Sequence, residues 1–228
     1  MRGVLVAGGT GALGAGVLRA LLEAGYPVTT SWLVEKERDR VESEFAGADG
    51  LSLVEADLME PAGAEAAVEA TPDLGAVVNL VGGFAAGPLA HETDVEECER
   101  LLRLNLRPGF LLARAAIPRM LEAGGGAYVG VSARPALQPF PGAVAYVTAK
   151  GAVLAFVKAL DADYRAQGIR CNAILPSVID TPGNRASMPN ADFDRWVKPA
   201  EIARVIVHLL SEDSAPISGA SIPVYGRA

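Results

Sequence analysis

The sequence predicts a doubly wound α/β fold, a parallel sheet of about seven strands with helices on both faces. Two observations carry that expectation. Apolar runs of strand length alternate with stretches of helical periodicity along the chain, and strands separated by crossover helices pair in parallel. No linker, repeat or low-complexity segment interrupts the 228 residues, so one domain spanning 1–228 is expected.

The first strand is the buried run Val4-Leu5-Val6-Ala7, which leads through Gly8-Gly9-Thr10-Gly11-Ala12-Leu13-Gly14 into a helical pattern at 17–22. Strand, glycine loop and helix together make a credible dinucleotide motif. Gly8 and Gly11 permit a tight turn and close backbone approach, and Gly14 lets the helix pack on the strand. The helix N-terminus then faces a pyrophosphate, as in Rossmann-type sheets. The second strand, 28–33, carries Ser31-Trp32 where a strict NAD site places an acid, and Lys36 and Arg38 follow. Residues 35–44 read as a solvated helix of oppositely charged pairs. A third strand, 51–54, is closed by Glu55-Ala56-Asp57-Leu58, which brings Asp57 toward an adenine. The fourth, 76–83, ends in Gly82-Gly83, where backbone can lie close to a cofactor.

The second half carries the chemistry. Residues 92–121 are helical but interrupted by Pro108-Gly109. Pro108 has no N–H for the Leu104 carbonyl, so a kink is expected beside Asn105, freeing a carbonyl there for water. A fifth strand, 127–131, ends at Ser132, and a loop rich in proline and glycine leads to Ala145-Tyr146-Val147-Thr148-Ala149-Lys150. Residues four apart on a helix share a face, so Tyr146 and Lys150 point into one cleft. A phenol is a poor acid or base at neutrality, and a nearby cation lowers its pKa toward the working range. Ligands of open α/β sheets bind beyond the strands' carboxyl ends, where Ser132, Tyr146 and the glycine loop converge. The sixth strand, 169–175, is followed by Pro176-Ser177-Val178-Ile179-Asp180-Thr181. Residues 183–196 read as irregular, with Met188, Phe193 and Trp196, and 183–197 as a substrate lid. A helix at 201–210 and a strand at 219–225 close the fold.

Composition narrows the function. A net charge of −7 and a pI near 4.9 give no basic footprint for nucleic acid. Cys98 and Cys171 are too few for a disulfide framework, no Cys/His cluster has metal spacing, and His91 and His208 stand alone. The apolar run in 1–7 is too short for a signal peptide, and none reaches membrane-spanning length. A cytoplasmic protein acting on a small molecule, without nucleic-acid or membrane partners, is expected.

With these motifs in this order, the chain resembles the short-chain dehydrogenase/reductase family over nearly its whole length. The resemblance implies hydride transfer between NAD(P)(H) and a small carbonyl or alcohol. It places the cofactor on Gly8, Thr10, Gly11, Ala12, Leu13, Gly14, Asp57, Leu58, Asn79, Val81 and Gly82, with Pro176, Val178, Ile179 and Thr181 against the nicotinamide, while Ser31 and Trp32 are candidates from their place at the end of the second strand. It makes Asn105, Tyr146 and Lys150 catalytic: Tyr146 protonates the developing oxyanion, Lys150 lowers the tyrosine pKa and holds the nicotinamide ribose, and Asn105 sustains a water relay. Three departures stand out. Ala12 replaces a loop glycine, Leu80-Val81 replaces the common Asn-Ala, and the family's serine position falls on Ala133. Ser132 is expected to take over that role through an irregular strand end, so that Ser132→Ala lowers turnover at least about tenfold. The glycine loop, Ala133, and residues 184–189 and 191–193 resemble the dihydropteridine reductase branch, which implies a quinonoid dihydropterin as the alternative substrate. A non-catalytic dinucleotide-binding regulator is the alternative from outside enzymology. NADP(H) is favoured over NAD(H), because no acid ends the second strand and Ser31, Lys36 and Arg38 can meet a 2′-phosphate. A homo-oligomer, dimer or tetramer, is expected because apolar residues surround more than one face of the Tyr146 helix.

Overall fold

The computed structural model describes residues 1–227. Seven strands, β1 Gly3–Ala7, β2 Val28–Trp32, β3 Leu51–Glu55, β4 Leu74–Asn79, β5 Gly126–Val131, β6 Ile169–Pro176 and β7 Ser221–Val224, form one sheet in the order β3-β2-β1-β4-β5-β6-β7. Every neighbouring pair is parallel. The helices are α1 Ala12–Glu23, α2 Glu35–Glu44, α3 Pro61–Glu69, α4 Val95–Glu122, α5 Val144–Tyr164, α6 Pro182–Ser187 and α7 Pro199–Leu210.

Successive strand residues point to opposite faces, so each strand feeds two cores. Leu5, Ala7 and Val77 pack with Leu112, Ala116, Leu154 and Val157 of α4 and α5. Val4, Val6 and Val78 pack with Val17, Leu21, Ile202 and Ile206 of α1 and α7. Burying each Val or Leu contributes roughly 1.5–3 kcal/mol, which is why central strands covered on both faces are apolar throughout. The chain reverses winding direction between β1 and β4, where Ala7 pairs with Asn79. The crevice beyond that junction is the place the topology reserves for a ligand.

The structure corrects two expectations and adds one element. Helix α4 is continuous from Val95–Glu122 through both Pro108 and Pro118, and Pro108-Gly109 does not break it. The pair serves close packing instead. A Cβ on Gly109 would lie 2.8 Å from Asn79 Nδ2 and 2.9 Å from the Tyr128 hydroxyl, so only glycine lets α4 settle onto the sheet there. Helix α3, with Pro61 in its first turn, has no counterpart among the expected elements. Finally, 183–197 is not irregular throughout: α6 occupies its start, Phe193–Arg195 form a short 3₁₀ turn, and Trp196 is buried rather than presented on a lid.

Candidate active site

At the end of β1 the chain must turn sharply. Gly8 sits at φ +78°, a left-handed conformation that favours glycine. A Cβ on Gly14 would strike the Gly9 main chain, so Gly14 seats α1 against the loop. Gly11 is the N-cap of α1, with Ala12 and Leu13 following, and no side chain caps the helix. Its first N–H groups therefore remain available to an anion. Asn79 is buried at the end of β4 and accepts from Val81 N–H at 3.1 Å, which pins the strand's exit. Asp57 accepts from Met59 N–H at 2.9 Å, while the Leu58 side chain is buried in the core, so only the Leu58 backbone is free to meet a cofactor. Ser31 is buried, and Trp32 lies beneath the Arg38 guanidinium, 4.9 Å from the ring centroid.

Across the crevice, α5 and the end of β5 hold each other reciprocally. Lys150 Nζ donates to the Val131 carbonyl at 3.1 Å, and Ser132 Oγ donates to the Lys150 carbonyl at 2.8 Å. A hydroxyl has one proton to give. The Ser132 proton is committed to the backbone of α5, so Ser132 is not a second donor beside Tyr146, and the expectation that it replaces the serine missing at Ala133 is corrected. The strand stays regular to its end, with Ser132 N–H bonded to the Ile174 carbonyl, so the hydroxyl keeps the direction the pleat assigns it.

Three groups meet at Gly82. A Cβ there would lie 2.6 Å from Asn105 Oδ1 and 2.9 Å from Lys150 Nζ. The Asn105 amide donates to the carbonyls of Leu101 at 2.9 Å and Gly83 at 3.2 Å, and it accepts from Gly83 N–H at 3.2 Å. It fixes the β4–α4 loop against α4. One turn before Lys150, the half-buried Tyr146 ring stands edge-on to Phe84, with centroids 4.9 Å apart. Phe84 is 64% exposed and had no sequence signal beyond following two glycines. The loop carrying it is tied to the loop before α5 by Gly87 N–H donating to the Gly142 carbonyl at 2.8 Å.

Electrostatics run against one expectation. Burial pushes the Tyr146 phenol up to about 12 and lowers the Lys150 ammonium to about 8. Desolvation outweighs any pull of the lysine on the phenol. Tyr146 is therefore neutral at physiological pH, the form that donates a proton.

On the far side, Pro176 ends β6 opposite Val224. Val178 accepts from Val197 N–H at 3.1 Å, Ile179 bridges to Val197, and Thr181 Oγ caps α6 by accepting from Asn184 N–H at 3.2 Å. Arg185 pairs with Asp180 and covers the Phe193 ring, which leans on Trp196, so 183–197 is fastened at its base.

The family described as enoyl-(acyl carrier protein) reductase matches residues 8–226. The chain belongs to the short-chain dehydrogenase/reductase family. It is 34% identical to 2-(R)-hydroxypropyl-CoM dehydrogenase of Xanthobacter autotrophicus, over 79% of each chain. A solved 3-ketoacyl-(acyl-carrier-protein) reductase from Brucella melitensis, complexed with NADH, is 27% identical with a TM-score of 0.87, covering 99% of this chain and 98% of its own. ElxO with NADP bound, 22% identical, superposes with a TM-score of 0.91 over 99% and 98% and shares the fold. As a short-chain dehydrogenase/reductase, the chain is an oxidoreductase of a family whose solved members hold either dinucleotide. Its own residues fit such a group: an uncapped helix N-terminus behind a glycine turn, and a side-chain-free Gly82 beside two polar groups. Among the described residues, no helix is long and apolar enough to cross a membrane.

Proposed function

We propose that this chain transfers a hydride between NAD(P)(H) and a small carbonyl or alcohol, with Tyr146 as the single side-chain proton donor and residues 1–228 as one catalytic domain. The convergence of Lys150 Nζ and Asn105 Oδ1 on Gly82, one helical turn from Tyr146, carries this reading. The bound dinucleotide supplies the hydride. The protein's part is to orient and to move a proton. Tyr146 Oη gives its proton to the substrate oxygen. Lys150, with one N–H on Val131, has donors left for a ribose hydroxyl and for Tyr146. Asn105 holds the β4–α4 loop in register, and the segment 183–197 covers the substrate. Burial keeps the Tyr146 phenol protonated at neutral pH, the form in which it can donate. Turnover over a panel of carbonyls and quinonoid dihydropterin, with NADH and NADPH in turn, tests the proposal, and no turnover with any pair would refute it.

A second acceptor is favoured by one observation. With Ala133 at the serine position and the Ser132 proton held by Lys150, the site offers one hydroxyl donor rather than two. That suits a quinonoid dihydropterin, whose own polar ring edge needs less help than a carbonyl. The dehydrogenase relative supports the carbonyl and alcohol side, and the substrate panel separates the two. Ser132→Ala is expected to leave turnover within about twofold and to cost about 1 kcal/mol of stability, the net worth of one hydrogen bond. Paired kinetic and urea-unfolding measurements check both halves.

NADP(H) remains the favoured cofactor, with Ser31, Lys36 and Arg38 near the end of a strand that has no terminal acid. A cytoplasmic homo-oligomer, dimer or tetramer, also remains the reading. Phe110 on α4 is 54% exposed and leans on Phe156 of α5, with centroids 6.1 Å apart, an aromatic pair left facing outward. Light scattering at micromolar concentration is expected to give a mass of two or four chains.

A further inference from the structure

Helix α2 does more than face solvent. Glu37 Oε2 accepts a hydrogen bond from Thr10 Oγ1 at 2.8 Å, and Arg40, one turn later, donates to the Thr10 carbonyl. Thr10 lies inside the glycine loop and is 6% exposed. That loop has no slack toward β2, since a Cβ on Gly9 would strike Thr30 Oγ1. Arg38 lies over Trp32 and pairs with Asp39 at 2.6 Å. The strand that would present a selecting carboxylate ends in Trp32. A carboxylate nevertheless reaches the glycine loop, from the helix.

We infer that Glu37 limits this protein's preference for NADPH over NADH, as a carboxylate that reaches the glycine loop from α2 and opposes the cations around it. The inference rests on the dinucleotide-binding reading and deepens it. The carboxylate already accepts from one hydroxyl of the loop, and a free ribose 2′-hydroxyl offers the same chemistry. A 2′-phosphate brings a second anion to a group that cannot donate a hydrogen bond while ionised. Arg38 and Arg40 oppose this effect, since both can pair with phosphate, yet each is occupied, one by Asp39 and one by the Thr10 carbonyl. The preference for NADPH that the cations create is thus held down by Glu37.

The test is the dissociation constant of each dinucleotide, followed by tryptophan fluorescence at matched ionic strength, for the native protein, Glu37→Gln and Thr10→Val. Glu37→Gln keeps the shape and an oxygen for Thr10 while removing the charge. It is expected to tighten NADPH at least about tenfold and to move NADH by no more than about threefold. Thr10→Val removes the hydrogen bond but leaves the charge, and is expected to keep the native ratio of the two constants. Equal shifts for both dinucleotides in Glu37→Gln, or no shift, overturn the inference. So does a Thr10→Val protein that reproduces the Glu37→Gln ratio, because loop geometry would then be the cause. Failure of all three proteins to bind either dinucleotide overturns the dinucleotide reading as well.

Discussion

Tyr146→Phe is expected to cut turnover by about 10²–10⁴-fold, the usual contribution of a positioned general acid, while dinucleotide affinity stays within about twofold. The substitution deletes one oxygen and keeps the ring, so the edge-on contact with Phe84 survives. Loss falls on kcat because the phenol acts as charge develops on the substrate oxygen, not when substrate first binds. The absence of a second hydroxyl sharpens the expectation. Where a serine shares the oxyanion, loss of the tyrosine leaves a partial donor, but here the Ser132 proton is engaged by Lys150. In the oxidative direction, native activity should climb with pH toward the tyrosine's value of about 12, since the phenolate is then the base. A Phe variant retaining more than about a third of native kcat would remove Tyr146 from the mechanism.

Much of the fold was legible because its signals are local. Val4-Leu5-Val6-Ala7 and the glycines after it announce a strand and a turn within a dozen residues, and the charged stretch 35–44 coincides with α2. Helix α3 escaped because its buried stripe, Ala64, Ala67 and Val68, is made of small residues that contrast little with their neighbours, although proline in a first helical turn is itself a start signal. The site divides the same way. Tyr146 and Lys150 share a face by helical arithmetic alone. Where Ser132 points depends on how β5 ends against α5, and the Glu37 to Thr10 bond joins positions 27 apart in sequence, so neither has a periodic signature. The direction of the Tyr146 shift was misread for a related reason. A nearby cation can be read from spacing, but burial is a property of the assembled crevice, and burial dominates here.

Lys150→Met should make the protein more stable and nearly inactive. Lys150 is 6% exposed, and burial lowers its ammonium from 10.5 to about 8. The folded state therefore holds a charge it disfavours by roughly 3 kcal/mol at neutral pH, at about 1.4 kcal/mol per pKa unit. Methionine fills similar space without charge. It forfeits the hydrogen bond to the Val131 carbonyl, worth about 1 kcal/mol, so a net gain of about 2 kcal/mol is expected at pH 7. The pH dependence identifies the cause. Between pH 8 and 10.5 the unfolded lysine binds more protons than the folded one, so native stability rises with pH across that window, and the Met variant should lack this rise. Tyr146 has the opposite sign: its folded value of about 12 exceeds a phenol's ordinary 10.0, so both proteins lose stability above pH 10 as the unfolded phenol ionises first. Urea unfolding of both proteins at pH 7, 8, 9, 10 and 11 reads the two effects apart, the lysine's in the difference between the proteins below pH 10.5 and the tyrosine's in their shared loss above pH 10. A Met variant less stable than the native protein at pH 7 would mean that the ammonium is well compensated by Val131 and the groups around Gly82. The expected gain instead marks Lys150 as a destabilising group kept for chemistry.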